Sequence, residues 1–225
     1  MILAGCLHQI AVLFYELGNY SDGIPPAEEA VKIADIKASP LTLADYLNRL
    51  GLLYHDQGKY SEAELIYLRS LAIRECKLGV DHPDIASSLN NLAELYRAQG
   101  KYSEAEPLFV RSIEIREFKL EVDHLDVASS LNNLGLLYKL QGRYSEVEPL
   151  YLRSLAIRER KLGADHPNVS ESLFNLAVLY HNTQRYPQAL QSIQRAIQIY
   201  EQKLGTEHPS TQNAIGWLQT IRDAV

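Results

Sequence analysis

Four histidines, His82, His124, His166 and His208, recur every 42 residues in this 225-residue chain. Histidine is the side chain best suited to bind zinc or to move protons near neutral pH. The spacing argues against a shared metal. Equivalent positions in stacked helical units lie roughly 10 Å apart, whereas zinc needs its nitrogens about 2 Å away. Each histidine follows an acid and three precede proline, as in Asp81-His82-Pro83, so they read as linker residues at helix starts. No glycine-rich phosphate loop, G-x-S-x-G elbow or Cys/His pair with an orienting third group occurs. Cys6 and Cys76 form no C-x-x-C and no disulfide framework, which suits a reducing compartment such as the cytoplasm. No catalytic residue, metal or cofactor is therefore expected. Asparagine is the other residue type that recurs where it has no helix-forming merit: Asn48, Asn90 with Asn91, Asn132 with Asn133, and Asn175. Its amide carries two donors and an acceptor, which suits an extended peptide backbone or a neighbouring amide equally well.

The elements that carry these residues come from a tandem duplication. Residues 84–125 and 126–167 are identical at 27 of 42 positions, which defines one structural unit per 42 residues. In the first copy Ile85, Leu89, Leu92, Ala93, Leu95 and Tyr96 mark one face of an amphipathic helix over 83–99, helix A. Pro83 suits its first turn, and Gly100 sits where a helix ends in a left-handed residue. After the turn Gln99-Gly100-Lys101, Ser103 and Glu106 match the S-x-x-E capping box. The second helix, helix B, then runs to about Leu120 through Ala105, Leu108, Phe109, Ile113 and Ile115, with Pro107 tolerated in its first turn. Two helices joined by a tight turn predict an antiparallel hairpin.

The residue types at fixed offsets, Leu89-x2-Leu92-Ala93-x2-Tyr96 and then Ala105-x3-Phe109, resemble the tetratricopeptide repeat, with leucine in place of that family's first tryptophan. The recurring Leu-Gly-x-Asp-His-Pro, Leu-Asn-Asn-Leu, Gln-Gly-[Lys/Arg]-Tyr-Ser-Glu and Ile-Arg-Glu stretches are similar to the kinesin light chain type of repeat over nearly the whole chain. The resemblance implies an all-α fold, a right-handed superhelix of about five helix pairs plus a capping helix, with helix A lining a concave groove. It places Asn48, Arg49, Asn90, Asn91, Asn132, Asn133 and Asn175 toward that groove, and Arg97 and Lys139, with His55 and His181, one turn further on. Light chains of that type bind short cargo peptides in which acidic residues flank an aromatic. The implied role is thus an adaptor that holds an extended, acidic peptide of a protein partner, although Glu94 and Leu52 interrupt the cationic row. No sustained heptad pattern matches the coiled coil by which light chains bind the motor heavy chain. Two alternatives stay open: the amides bond to one another between units as a ladder, or the segment docks against another domain or a second copy without a free peptide ligand. The row Arg69, Arg111, Arg153 and Arg195 on helix B is expected to pair with glutamates and stands outside the site.

In chain order the units are 2–39, degenerate; 41–83; 84–125; 126–167; and 168–209, followed by a capping helix over 210–225, all within one domain, 1–225. In the first unit Pro25-Pro26 predicts a late helix B, over roughly 25–37, and Ser39-Pro40 ends it. In the fifth, Gln184 stands in place of the turn glycine, so that turn is strained or built differently, and Pro187 replaces the capping box. Ile215, Trp217, Leu218 and Ile221 are expected to cover the open face of unit five. A net charge of −6 argues against nucleic acid or an anionic membrane as partner, and no apolar run approaches the 18 residues of a membrane span. Leu3-Ala4-Gly5-Cys6 imitates a lipoprotein cleavage box without the basic and apolar segments that precede one. Asn19-Tyr20-Ser21 and Asn168-Val169-Ser170 fit the glycosylation pattern at fixed repeat positions and read as coincidental. The sequence leaves the oligomeric state open.

Overall fold

In the computed structural model, which describes residues 1–120 and 122–225, the chain is all-α. Eleven helices follow one another among the described residues: α1 (Ile2–Glu16), α2 (Tyr20–Lys37), α3 (Pro40–Asp56), α4 (Tyr60–Leu78), α5 (Pro83–Ala98), α6 (Tyr102–Lys119), α7 (Leu125–Leu140), α8 (Tyr144–Leu162), α9 (Pro167–Asn182), α10 (Tyr186–Leu204) and α11 (Pro209–Asp223). Odd-numbered helices are the A helices and even-numbered ones the B helices. Two compact units divide the chain, one from Met1 to Ile115 and the other from Arg116 to Val225.

The turn inside each hairpin follows directly from its sequence. Gly58 has φ +73°, its N–H donates to the His55 carbonyl at 2.8 Å, and the Lys59 N–H reaches back to the Tyr54 carbonyl at 2.8 Å. This is the Schellman pattern, which satisfies the orphan carbonyls of α3. Gly100 and Gly142 repeat it, with Lys101 and Arg143 donating to Tyr96 and Tyr138. Lys59 is also the N-cap of α4, and Arg143 that of α8. Helix B therefore starts one residue before the serine of the S-x-x-E motif, and neither N-cap makes a side-chain bond. The expected capping box is not what that motif builds: Ser61 and Ser145 already lie inside the helix, out of capping position. The serine and glutamate are redirected, as described below.

A helices are capped by the recurring histidines. Nδ1 of His82, His124, His166 and His208 accepts from the backbone N–H two residues on, at 3.2, 3.2, 3.1 and 3.2 Å. Proline after His82, His166 and His208 fixes the first helical φ. The linker reading of these residues thus has a specific content, since an imidazole lone pair does the work that serine or aspartate does elsewhere.

Small residues set the distance between paired helices. A Cβ on Gly51 would meet the Tyr67 ring at 2.5 Å, and one on Gly135 the Tyr151 ring at 2.5 Å. The hairpins are pinned by Ser70, Ser112 and Ser154, whose hydroxyls donate to the carbonyls of Ala44, Ala86 and Ala128. Successive hairpins are pinned by arginine. Buried Arg74 donates to the Asp84 carbonyl at 3.2 Å and to Ser88 Oγ at 2.7 Å, Arg116 does the same to Asp126 and Ser130, and Arg158 to Asn168 and Ser172. A buried guanidinium is tolerable because its donors meet oriented acceptors on the next A helix. At the α10–α11 junction all three polar members change together: Ala196, Tyr200 and Ala214 occupy the serine, arginine and serine positions, and all are buried.

The first hairpin departs from expectation. Helix α2 begins at Tyr20 and not near residue 25, and carries Pro25 and Pro26 in its interior. The helix closes its first turn through Gly23 N–H to the Asn19 carbonyl and an Asn19–Asp22 side-chain bond at 2.8 Å. Packing outweighs the two hydrogen bonds that the prolines remove. Gly23 lies so close to α1 and α3 that a Cβ would meet Leu53 at 2.8 Å and Phe14 at 3.2 Å. At the other end, Gln184 does adopt the left-handed conformation, φ 59°, with the same Schellman bonds, so the turn is strained as it stands. On α11, Thr211, Ala214 and Ile221 are the buried stripe, Leu218 and Trp217 are half-buried, and Ile215 is exposed, contrary to expectation.

Candidate functional site

The candidate residues are read within each unit. In the first, α3 and α5 run side by side and Asn91 Nδ2 donates to Asn48 Oδ1 at 3.0 Å. In the second, α7 and α9 repeat the arrangement, with Asn175 Nδ2 donating to Asn132 Oδ1 at 2.9 Å. Asn48, Asn90, Asn91, Asn133 and Asn175 are half-buried and Asn132 is buried. The amide ladder left open by the sequence is therefore present in both units. One amide–amide bond engages one of the two N–H groups of its donor and one lone pair of its acceptor.

The cations differ between the units. Arg49 lies over the Tyr15 ring, 4.9 Å from its centroid. Arg97 is held on its own helix by Glu94, with Nη2 at 2.5 Å and Nε at 3.2 Å from Oε2. Glu94 thus neutralises the Arg97 position, as its interruption of the basic row suggested. In the second unit the residue 42 positions after Glu94 is Leu136. His181 in the same row packs edge-on to Trp217 at 5.7 Å and to Tyr186 at 6.0 Å, and Phe174 meets Trp217 at 6.2 Å. Beside Asn175 the second unit therefore carries an aromatic cluster around Trp217, a residue expected from the sequence only to cap unit five.

The Gln-Gly-[Lys/Arg]-Tyr and S-x-x-E motifs meet in a clamp between repeats. Glu64 accepts from Tyr96 Oη at 3.0 Å and from Lys101 Nζ at 3.4 Å. Glu148 accepts from Tyr180 Oη at 3.1 Å and from Arg185 at 2.6 Å. The cation lies over the ring of the same tyrosine, Lys101 at 5.2 Å and Arg185 at 4.4 Å. The Arg185 hydrogen bond, helped by Tyr180 and opposed by desolvation, holds the Glu148 carboxyl below the ordinary carboxylate range. Burial and the bond to Glu148 push the Tyr180 hydroxyl up. The glutamate that looked like a capping residue thus ties a B helix to the next A helix and its turn. Only the serine three residues before it, followed by the tyrosine one unit later, could have signalled this in the sequence.

The outer row of arginines pairs as expected: Arg69 with Asp35, Arg111 with Glu75, Arg153 with Glu117 and Arg195 with Glu159, at 2.5–3.3 Å. Among the described residues no three His, Cys, Asp or Glu side chains converge as a metal site, and no helix is long and apolar enough to cross a membrane.

The fold and motifs have known counterparts. BtubC (BKLC) from P. vanneervenii superposes with a TM-score of 0.76 at 26% identity, covering 90% of this chain and 81% of that one. A Podosopora anserina putative kinesin light chain with nearly identical TPR-like repeats superposes at 0.73 with 23% identity, over 88% and 94% of the two chains. A Rap protein complexed with competence and sporulation factor gives 0.76 at 14% identity, over 100% of this chain and 67% of that one, a likeness of fold alone. In sequence, a nucleotide-binding leucine-rich repeat (NLR)-like protein of Hyaloscypha variabilis is 38% identical over 62 residues, 27% of this chain and 6% of that relative's length. The Tetratricopeptide repeat family matches three overlapping windows, residues 42–117, 84–160 and 126–202. With that pattern running through both units and hairpins built as it requires, the chain belongs to the tetratricopeptide repeat family, an interaction scaffold for proteins.

Proposed function

We propose that the A-helix faces of this scaffold hold extended peptide segments of a protein partner, with a preference for acidic side chains. The chain acts by binding and not by catalysis, and its place of action is the cytoplasm. The observation that carries the reading is the paired amides of α3 and α5 and of α7 and α9, at positions where helix packing alone calls for no asparagine. Amide–amide bonding orients the side chains, so less rotamer entropy remains to be lost when a peptide backbone bonds to the remaining donors and acceptors. Arg49, Arg97 and Lys139 are the cations of these faces, and Arg97 is engaged by Glu94. The Rap neighbour, complexed with competence and sporulation factor, supports ligand binding by this fold as an analogy only.

Screening an array of extended peptides with and without Asp and Glu, then calorimetry on the best, tests the reading. Lys139→Ala should weaken binding by about 1.5–3 kcal/mol, as loss of a charged contact, and Asn133→Ala by about 1 kcal/mol. Higher salt should cost the wild type more affinity than the Lys139 variant, because screening acts on the charge and hardly on the amides. Replacing Asn91, Asn133 and Asn175 together separates site from scaffold when a thermal melt is run alongside. Lost stability with unchanged affinity would leave the amides as a ladder only and overturn the proposal.

A further inference from the structure

A cleft of about 290 Å³ opens between the B helices α8 and α10, wholly within the second unit. Its floor is apolar and buried, formed by Leu155 of α8 with Leu173, Leu176 and Tyr180 of α9. Gln191, Ser192 and Arg195 line the α10 side. The repeat explains why the space is there. At the position of Ser192 the three preceding B helices hold Leu150, Leu108 and Ile66, and at that of Gln191 they hold Pro149, Pro107 and Leu65. In the first unit the counterparts of the floor are Leu71, Leu89, Leu92 and Tyr96. There Leu108 packs, together with Leu71 and Tyr96, on the cluster that contains Leu92, and together with Leu71 on the cluster that contains Leu89. The repeat thus ordinarily fills this cleft with a branched aliphatic side chain from its own B helix. In α10 that side chain is cut back to a hydroxymethyl group, while the floor keeps its leucines and its tyrosine.

We propose that this cleft binds a leucine side chain on an uncharged peptide segment of a partner, seated as Leu108 is seated in the first unit. The chain's own repeat is the template for the occupant: the same floor residues already accept a leucine one site earlier. Burying an aliphatic side chain on that floor supplies the driving force. Size points the same way, because about 290 Å³ lies at the lower edge of the roughly 300–1,000 Å³ typical of small-molecule sites. That is room for one side chain and its flanking peptide groups. The lining also selects against charge. Arg195 is its one charged side chain, and it is paired with Glu159 at 2.7 Å and donates to the Ala164 carbonyl at 3.3 Å, so an acidic ligand finds no unpaired cation. Among the described residues Gln191 and Ser192 make no side-chain hydrogen bond, which leaves an amide and a hydroxyl for the backbone of the bound segment. This neutral, leucine-selecting cleft is separate from the asparagine-bearing faces of the A helices, and none of the asparagines lines it.

The probe is the capped tripeptide acetyl-Gly-Leu-Gly-amide, titrated into the full chain while the leucine methyl signals are followed by NMR. Saturable shifts are expected at Leu155, Leu173 and Leu176, with acetyl-Gly-Ala-Gly-amide at least tenfold weaker. Ser192→Leu restores the side chain of the other repeats, so it should abolish saturable binding and raise the melting temperature, as filling a cavity does. Ser192→Val fills less of the space and should weaken binding without abolishing it. Absence of saturable binding by the wild type overturns the proposal, and so does binding that survives Ser192→Leu. A Ser192→Leu variant that melts below the wild type overturns it too, because the cleft would then not be shaped for leucine. Tighter binding of acetyl-Gly-Leu-Asp-amide than of the neutral tripeptide would overturn the selection against charge. Lys139→Ala and Asn133→Ala should leave the affinity for the tripeptide unchanged, so this site and the A-helix faces stand or fall separately.

Discussion

Single residues in this chain do jobs that differ from those their motifs suggest. Gln184 is the one described residue other than glycine with positive φ, at a turn where Gly58, Gly100 and Gly142 sit elsewhere. A β-carbon in the left-handed region costs about 1–2 kcal/mol, and glycine's greater unfolded-state freedom offsets part of the relief. Gln184→Gly should therefore stabilise by up to about 1 kcal/mol, a rise of roughly 2–4 °C in Tm for a chain of this size. A fall in Tm would mean that the Gln184 side chain contributes more than its backbone costs. Glu148 makes a second residue-scale prediction. Its folded carboxyl titrates below the ordinary 4.5, so the ionised form is favoured in the native state. Its contribution is present in full above about pH 4.5 and is lost as pH falls through the folded value. Melts of wild type and Glu148→Gln should converge as the pH is taken from neutrality to well below the ordinary carboxylate range. A gap as wide in acid as at neutrality would show that the ion pair is not its source.

At the scale of the element, each hairpin is a Schellman turn whose ends are tied to its neighbours. Histidine caps start the A helices, cations stack on the tyrosine that ends them, and serine and arginine bonds hold pairs and successive pairs together. Tyr138 concentrates these demands in α7, being 9% exposed with the Arg143 guanidinium 3.9 Å above its ring. Tyr138→Ala should cost about 3–5 kcal/mol as a large aromatic removed from a packed position, measured by chemical denaturation. A loss below about 1 kcal/mol would place the tyrosine outside the core and refute the helical register.

Across the whole molecule the elements are unequal. The hairpin of residues 2–39 carries two prolines inside α2, whereas residues 124–167 have histidine cap, turn glycine and arginine tie in place. Native-state hydrogen exchange should therefore be fastest in residues 2–39 and slowest around α7 and α8. Equal protection would show that these local signals do not govern opening. The division between compact units falls within α6, a continuous helix over Tyr102–Lys119.

The sequence by itself determined the repeat, its 42-residue period, the helix pairs, the turn glycines and the family, because these follow from local periodicity and from which residues tolerate positive φ. It also located the asparagines and the outer arginine pairs, since both recur once per unit. Tertiary structure decided what spacing could not encode. Ser-x-x-Glu reads as a cap only while the helix is taken alone, and the next hairpin brings Tyr96 or Tyr180 within reach and claims the glutamate. Two prolines end a helix in isolation, yet close packing of Gly23 against Phe14 and Leu53 keeps α2 continuous through them. For the arginine of Ile-Arg-Glu, only the approach of the following A helix supplies the carbonyl and hydroxyl that make its burial favourable. In each case the deciding partner lies one repeat away, where desolvation and oriented acceptors outweigh local preference.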